Sequence, residues 1–325
     1  MDRFLSPPPG AAAHRPGRLA GLILAAVISG VLLGVLPACS PGGERPVFIF
    51  GSPDSPRLRE AAAGVSAGLA PRRVEVVTVP ELGPEGDRTL KTLRDRHPAL
   101  LVVLGSPALL RVAPAEKRTP VVFAMVANPY ALGVAEDPLD PHLHQKNVTG
   151  VASPPPVGAA LEQGARLFGP LPWGLLYDPA EGMAVEVAQM FTTLAPLHGL
   201  KPLTETSTDA AGDLPALRRL LARGARVLYL PPTATAARYA PLVLAWGRER
   251  RVRVVNSQPE IDPKGAVLSV TLDYRAIGEE AAALARRVLA GEKPEHLPLQ
   301  EKTPLKIVAD ESLLRYWSAY PAPGR

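Results

Sequence analysis

Cysteine is nearly absent: Cys39 is the only one in 325 residues. A single thiol closes no internal disulfide, so the folded body must be held by packing and hydrogen bonds. Aromatic residues are also sparse, at 5%, which leaves no stacking platform of the kind that single-strand binders use. The basic residues are scattered through stretches such as "RRLLARGAR" and "RERRVR", which read as solvated helix faces, and no nucleic-acid partner is expected. The signatures of common chemistries are missing too: there is no P-loop, G-x-S-x-G, H-E-x-x-H or G-x-G-x-x-G. With no visible nucleophile–base pair, no enzymatic activity and no cofactor are predicted. His142 and His144 have H-x-H spacing in a Pro-rich loop, but no third ligand is placed by sequence, so no metal site is predicted.

Charge is absent from residues 19–38, "LAGLILAAVISGVLLGVLPA". Before this run, "MDRFLSPPPGAAAHRPGR" carries Arg3, Arg15 and Arg18 against Asp2. A basic n-region followed by an apolar h-region is the layout of a secretory signal. The run ends Leu36-Pro37-Ala38-Cys39, which resembles a bacterial lipobox, with Cys39 as the lipidated new N-terminus. The alternative is an uncleaved anchor helix with an incidental cysteine. Residues 1–38 are thus predicted to be a lipoprotein signal peptide and 39–45 a tether. Ser40 stands where an inner-membrane retention signal would place Asp. The expected address is the bacterial cell envelope, anchored at Cys39 and facing the periplasm, on the outer membrane if there are two. Without residues 1–38 the chain keeps 33 basic and 30 acidic residues, so the sequence pI near 9.4 says little about partners.

The remaining 287 residues are enough to bury a sizeable core and to divide into two domains. Apolar runs at 45–52, 73–80, 99–106 and 119–129 read as buried strands, and the amphipathic stretches 55–70, 86–98 and 107–113 as helices. The rhythm then restarts. Helices are expected at 154–169, 181–199, 214–224 and 233–251, and strands at 172–179, 201–208, 225–232 and 252–258. The junction is "NVTGVAS" (147–153). A strand at 265–273, a long helix over 274–294 and a strand at 303–310 complete the pattern. Continuously apolar strands alternating with helices indicate parallel sheets covered on both faces.

Five stretches carry a resemblance: "PVVFAMVANPYALGV" (120–134), "KNVTGVASP" (146–154), "GLLYDPAEGMAVEV" (174–187), "VLYLPPTATAARYAPLV" (227–243) and "GAVLSVTLDYRAIGEEAAALARRVLAGEKPEHLPLQ" (265–300). In this order they resemble the ABC-transporter substrate-binding proteins, in the branch linked to amino acids. That resemblance implies a type I periplasmic-binding fold: two Rossmann-like α/β lobes joined by three hinge crossings, near 148–156, 271–276 and 296–304. The expected N-terminal lobe is 46–150 plus 274–297, the C-terminal lobe 151–273 plus 301–312, and 313–325 a tail. The implied partners are a small-molecule ligand and an ABC permease in the inner membrane, with the protein itself a monomer.

Ligands of open α/β sheets sit beyond the carboxyl ends of the strands. Those ends carry Gly51, Ser52, Ser106, Asn128, Tyr177, Asp178, Thr233 and Asn256, which with Asp273 form the candidate ligand site. The competing reading is that such residues only make turns and helix caps. The resemblance implies an acid after the fourth strand, where this chain has Asn128, and Asp or Asn within the segment that here reads Pro232-Thr233-Ala234-Thr235. Asp178, Glu181 and Asp273 remain to meet the ammonium of an amino acid. Import of a small polar molecule, an amino acid among the options, is the expected function. The alternative is an interaction or sensor lipoprotein of the same fold with a degenerate cleft.

Overall fold

The first sheet is parallel, with strand order β2-β1-β3-β4-β5. Its strands are β1 (Val47–Gly51), β2 (Val74–Thr78), β3 (Leu100–Leu104), β4 (Val121–Val126) and β5 (Val148–Ala152). A computed structural model describes residues 44–80, 82–301 and 303–319, and these elements belong to one unit, Arg45–Arg325. The predicted signal peptide and Cys39 lie outside the described residues. β1 and β3 are buried at every position because helices cover both faces. Ile49 and Val102 point into one core with α1 (Pro56–Leu69). Phe48, Phe50 and Val103 point into another with α2 (Pro84–Asp95) and α3 (Ser106–Ala115).

The second sheet has the order β11-β10-β9-β8-β6-β7. It contains β6 (Pro172–Tyr177), β7 (Lys201–Thr206), β8 (Val227–Leu230), β9 (Arg253–Asn256), β10 (Leu268–Leu272) and β11 (Leu305–Ala309). Pairing is parallel except between β10 and β11. Helices α4 (Val157–Phe168), α5 (Gly182–Leu194), α6 (Ala210–Ala222) and α7 (Ala234–Arg248) lie in the connections. Trp173, Phe191 and Tyr229 fill one core, with the Phe191 and Tyr229 rings stacked at 6.1 Å and 12°.

Helix α8 (Tyr274–Leu289) leaves the second sheet and packs on α1 of the first. The two backbones almost touch. A Cβ on Gly64 would lie 2.1 Å from the Arg275 carbonyl oxygen, and one on Gly278 would lie 2.0 Å from that of Ala61. Glycine at both positions is what lets the helices approach. The three connections between the sheets are held together by backbone bonds. Ala152 N–H donates to Gln300 O at 2.8 Å, Gln300 N–H to Gly150 O at 2.9 Å, and Asp273 N–H to Pro304 O at 3.0 Å.

Four local readings differ from the sequence expectation. The junction 147–153 contains strand β5, fully buried, with Gly150 needed because a Cβ would come within 2.4 Å of the Phe123 carbonyl. Helix α2 begins and ends earlier than 86–98, since His97 takes a left-handed φ of 49° ahead of Pro98. β11 runs antiparallel, which a sequence pattern does not reveal. The stretch assigned to a tail holds most of a helix, α9 (Glu311–Ala319), whose Leu313 is buried. Among the described residues no helix is long and apolar enough to cross a membrane.

Candidate functional site

In each sheet the carboxyl ends of the parallel strands form one edge, and the connections of the hinge start there. On the first sheet, Gly51 closes β1, and its missing side chain leaves room for Leu58. Ser52 follows it and is buried. Ser106 opens α3, and its Oγ accepts a 3.3 Å bond from Ala127 N–H. Asn128 is exposed, and its Oδ1 accepts from Ala131 N–H at 3.0 Å. Between β3 and this turn, β4 carries a register shift, and Met125 holds a left-handed φ of 59°. A non-glycine residue there is strained, and such strain gathers near sites where backbone direction matters. Ser153 was not singled out from sequence. It sits just past β5 with its Oγ buried and lacking a protein partner, an orphan that no sequence pattern announces.

On the second sheet, Tyr177 ends β6 half-buried, and Asp178 accepts Ala180 N–H at 2.8 Å. Thr233 caps α7 by accepting Ala236 N–H. Asn256 ends β9, and its amide is consumed locally. Oδ1 accepts Gln258 N–H, while Nδ2 donates to Gln258 O and to Ser269 Oγ. Gln258 donates in turn to Pro231 O at 2.6 Å and Thr233 O at 2.7 Å. Asp273, in the second crossing, caps α8 through Ala276 N–H at 3.0 Å. For Asp178, Thr233, Asn256 and Asp273 the turn-and-cap reading describes bonds that the side chains make.

Asp178, Glu181 and Asp273, the acids expected to meet an ammonium group, each already accept at least one backbone N–H. Glu181 is the clearest case. Its carboxylate accepts Ala234 N–H and Thr235 N–H, both at 2.8 Å, and the Thr235 hydroxyl at 2.5 Å. It occupies the positive end of α7, where a ligand anion would otherwise be favoured.

A cavity of about 430 Å³ opens between the start of α1 and the segment from β9 to β11. Of the nine residues singled out from sequence, Asn256 lines it; Arg57, Glu60, Gln258, Glu260 and Tyr274 line it as well. Arg57 and Glu260 face each other across it, 2.8 Å apart between Nε and Oε1. No acceptor meets the Arg57 Nε–H in line, so this is a charge contact without a directed hydrogen bond. Glu60 has no ion-pair or hydrogen-bond partner among the described residues. Near the hinge, Tyr130 donates to Glu301 at 2.6 Å. Burial, reinforced by that bond, pushes its phenol up to about 12. A larger hollow, about 760 Å³, lies between α2 and α3. There Lys91, Arg94 and Arg111 are matched by Asp95, Glu116 and Asp87, which makes it an ion-paired surface rather than a convergent site.

Solved structures with the same architecture are numerous. The ligand-free, open form of a substrate-binding protein with adhesive properties from Clostridium difficile is 18% identical. It covers 84% of this chain and 95% of that one, with a TM-score of 0.73. An ABC domain in complex with L-Trp from a pneumonia streptococcus is 21% identical over 84% of this chain and 94% of that one, at 0.60. A solute-binding protein from Bacillus halodurans with bound myo-inositol is 15% identical over 86% and 100%, at 0.56. No relative is found among curated protein sequences. The family model described as "ABC transporter substrate binding protein" matches residues 85–316, most of the chain. Two sheets of mostly parallel strands covered by helices, three connections between them and that match together place this chain in the ABC transporter substrate-binding protein family, a family of solute-binding proteins and not of enzymes.

Proposed function

We propose that the protein is anchored by lipid at Cys39, faces the periplasm, captures a small polar molecule between its lobes and delivers it to an inner-membrane permease as a monomer. The observation that carries this reading is the cavity of about 430 Å³ between the start of α1, which follows the first sheet's β1, and the β9–β11 segment of the second sheet. That volume falls within the roughly 300–1,000 Å³ of small-molecule pockets. We assign the lobes as 46–150 with 274–297, and 151–273 with 301–312. Gly51, Ser52, Ser106, Asn128 and Ser153 offer backbone and hydroxyl contacts on one side, and Tyr177, Asp178, Thr233 and Asn256 on the other, with Asp273 at the hinge. Relatives of the same fold were solved with L-Trp and with myo-inositol, so both classes belong in a screen. Asp178 and Asp273 each accept a single backbone N–H and keep lone pairs for an ammonium, and Glu60 at the cavity offers a further carboxylate. A neutral polyol needs no such charge.

Thermal unfolding against a panel of amino acids, polyols, small carboxylates and purines tests the reading. At 100 times its Kd a ligand adds about 2.7 kcal/mol, enough to raise Tm by roughly 5–10 °C. Ser106→Ala and Ser153→Ala are each expected to weaken a cleft ligand about fivefold, the value of one hydrogen bond near 1 kcal/mol. A panel with no hit would favour the second reading, an interaction lipoprotein with a degenerate cleft. That reading is supported by the self-satisfied Asn256, Gln258 and Thr233. The anchor is tested separately: Cys39→Ser is expected to leave an unprocessed precursor that takes no lipid label, and a mature N-terminus at any other residue would end the lipoprotein assignment.

A further inference from the structure

Arg253 begins β9 at the amino-terminal edge of the second sheet, the end away from the cleft. Only 6% of it is exposed. Its Nε is buried with no protein acceptor, and no ion pair or side-chain hydrogen bond is made by any of its nitrogens among the described residues. Arginine is almost never buried unless paired. The nearest compensation is aromatic, since the guanidinium carbon lies 4.3 Å from the Trp317 ring centroid and 6.0 Å from that of Phe168. A second cation, Arg226, is exposed nearby and likewise has no acid partner among the described residues. Burial and Arg226 both act against the charge on Arg253. A long apolar side chain would fill the same space without that penalty; what it would lose is the contact of a cation with the Trp317 ring and the ability to hold an anion.

Arg253 borders a cavity of about 190 Å³ between the end of α4, the residue before β6, and α9. Phe168, Leu171, Leu314 and Trp317 form its walls. The volume corresponds to about six waters at ~30 Å³ each, smaller than a drug-sized pocket. One planar guanidinium fork matches a carboxylate through two parallel hydrogen bonds, and the apolar walls suit a short hydrocarbon body. Phe168, Leu171 and Trp317 come from three separate elements, so the site exists only once α9 has docked.

We propose that this cavity is a second small-molecule site, separate from the interlobe cleft, in which Arg253 binds a monocarboxylate with a short apolar body. The test is calorimetric titration of the purified protein with pentanoate and benzoate, against pentanamide and benzamide. At least one acid is expected to bind saturably, with its amide at least about tenfold weaker. Arg253→Gln, and Leu171→Trp, which fills the cavity with Arg253 in place, are each expected to weaken that acid at least tenfold. Ser106→Ala, on the cleft edge, is expected to leave it within twofold, so the result stands apart from the fate of the transport reading. If Arg253→Gln does not fold, Leu171→Trp decides. The proposal is overturned if neither acid binds at millimolar concentration, if acid and amide bind alike, if Leu171→Trp has no effect, or if Ser106→Ala abolishes the binding.

Discussion

Replacing Gly278 by alanine probes the contact that returns α8 to the first lobe. A Cβ there would stand 2.0 Å from Ala61 O, 2.9 Å from Ala61 C and 3.0 Å from Val65 N. All three are backbone atoms, so no rotamer change relieves the clash. A carbon–oxygen contact needs about 3.3 Å, which means the helices must separate by about 1.3 Å. A gap of even ~0.5–1 Å forfeits a quarter to a half of each dispersion contact along the seam, where Ala61, Val65, Ile277 and Ala281 are all fully buried. Overpacking of this kind costs about 1–3 kcal/mol. The higher helix propensity of alanine returns about 0.8–1.0 kcal/mol. The net loss is about 0–2 kcal/mol, up to roughly 8 °C in Tm. Gly158→Ala is the matched control. Its nearest neighbour, Leu194 Cδ1 at 3.6 Å, is an ordinary contact, and the change is expected to be neutral or to stabilise by up to ~1 kcal/mol. Urea unfolding followed by tryptophan fluorescence reads both. Gly278→Ala exceeding wild-type stability would refute the close-packing argument.

Two further outcomes follow from ion pairs. Arg57 and Glu260 are each about two-fifths exposed, so their contact across the cleft is worth only ~0.2–1 kcal/mol. Arg57→Gln should shift the open–closed balance by no more than about fivefold, read as a change in radius of gyration that disappears at high salt; a salt-independent change would point to a different cause. Asp213 is buried, and burial alone would raise its pKa, but bidentate bonds from Arg238 at 2.8 and 2.9 Å hold it below the usual carboxylate range. Its folded value is the depressed one. The stability it contributes is therefore full above the unfolded value, near 3.9, and is lost as pH falls through the folded one. Asp213→Asn should cost about 2 kcal/mol at pH 7 and flatten the acid limb of a stability–pH curve; an unchanged limb would show that other carboxylates control it.

Periodicity along the chain was enough to read alternating strands and helices, because strands buried on both faces are continuously apolar and helices carry a stripe. Order alone made Ser52, Ser106, Asn128, Tyr177, Thr233 and Asn256 strand-end residues. What each does there was not legible, since a serine or asparagine that caps a turn looks the same in sequence as one that faces a ligand. The fate of Glu181 needed α7 brought beside α5, a pairing across 53 residues. Ser153 and Arg253 became noticeable only through what they lack, a partner, which is a property of the packed interior. The antiparallel direction of β11 and the docking of α9 likewise depend on which surfaces remain uncovered after the parallel strands are laid down. The sequence by itself determined the local elements and the α/β class, because hydrophobic spacing is a local quantity; the tertiary structure decided which polar groups are spent and which are free, because hydrogen bonding between distant segments is settled only when they meet.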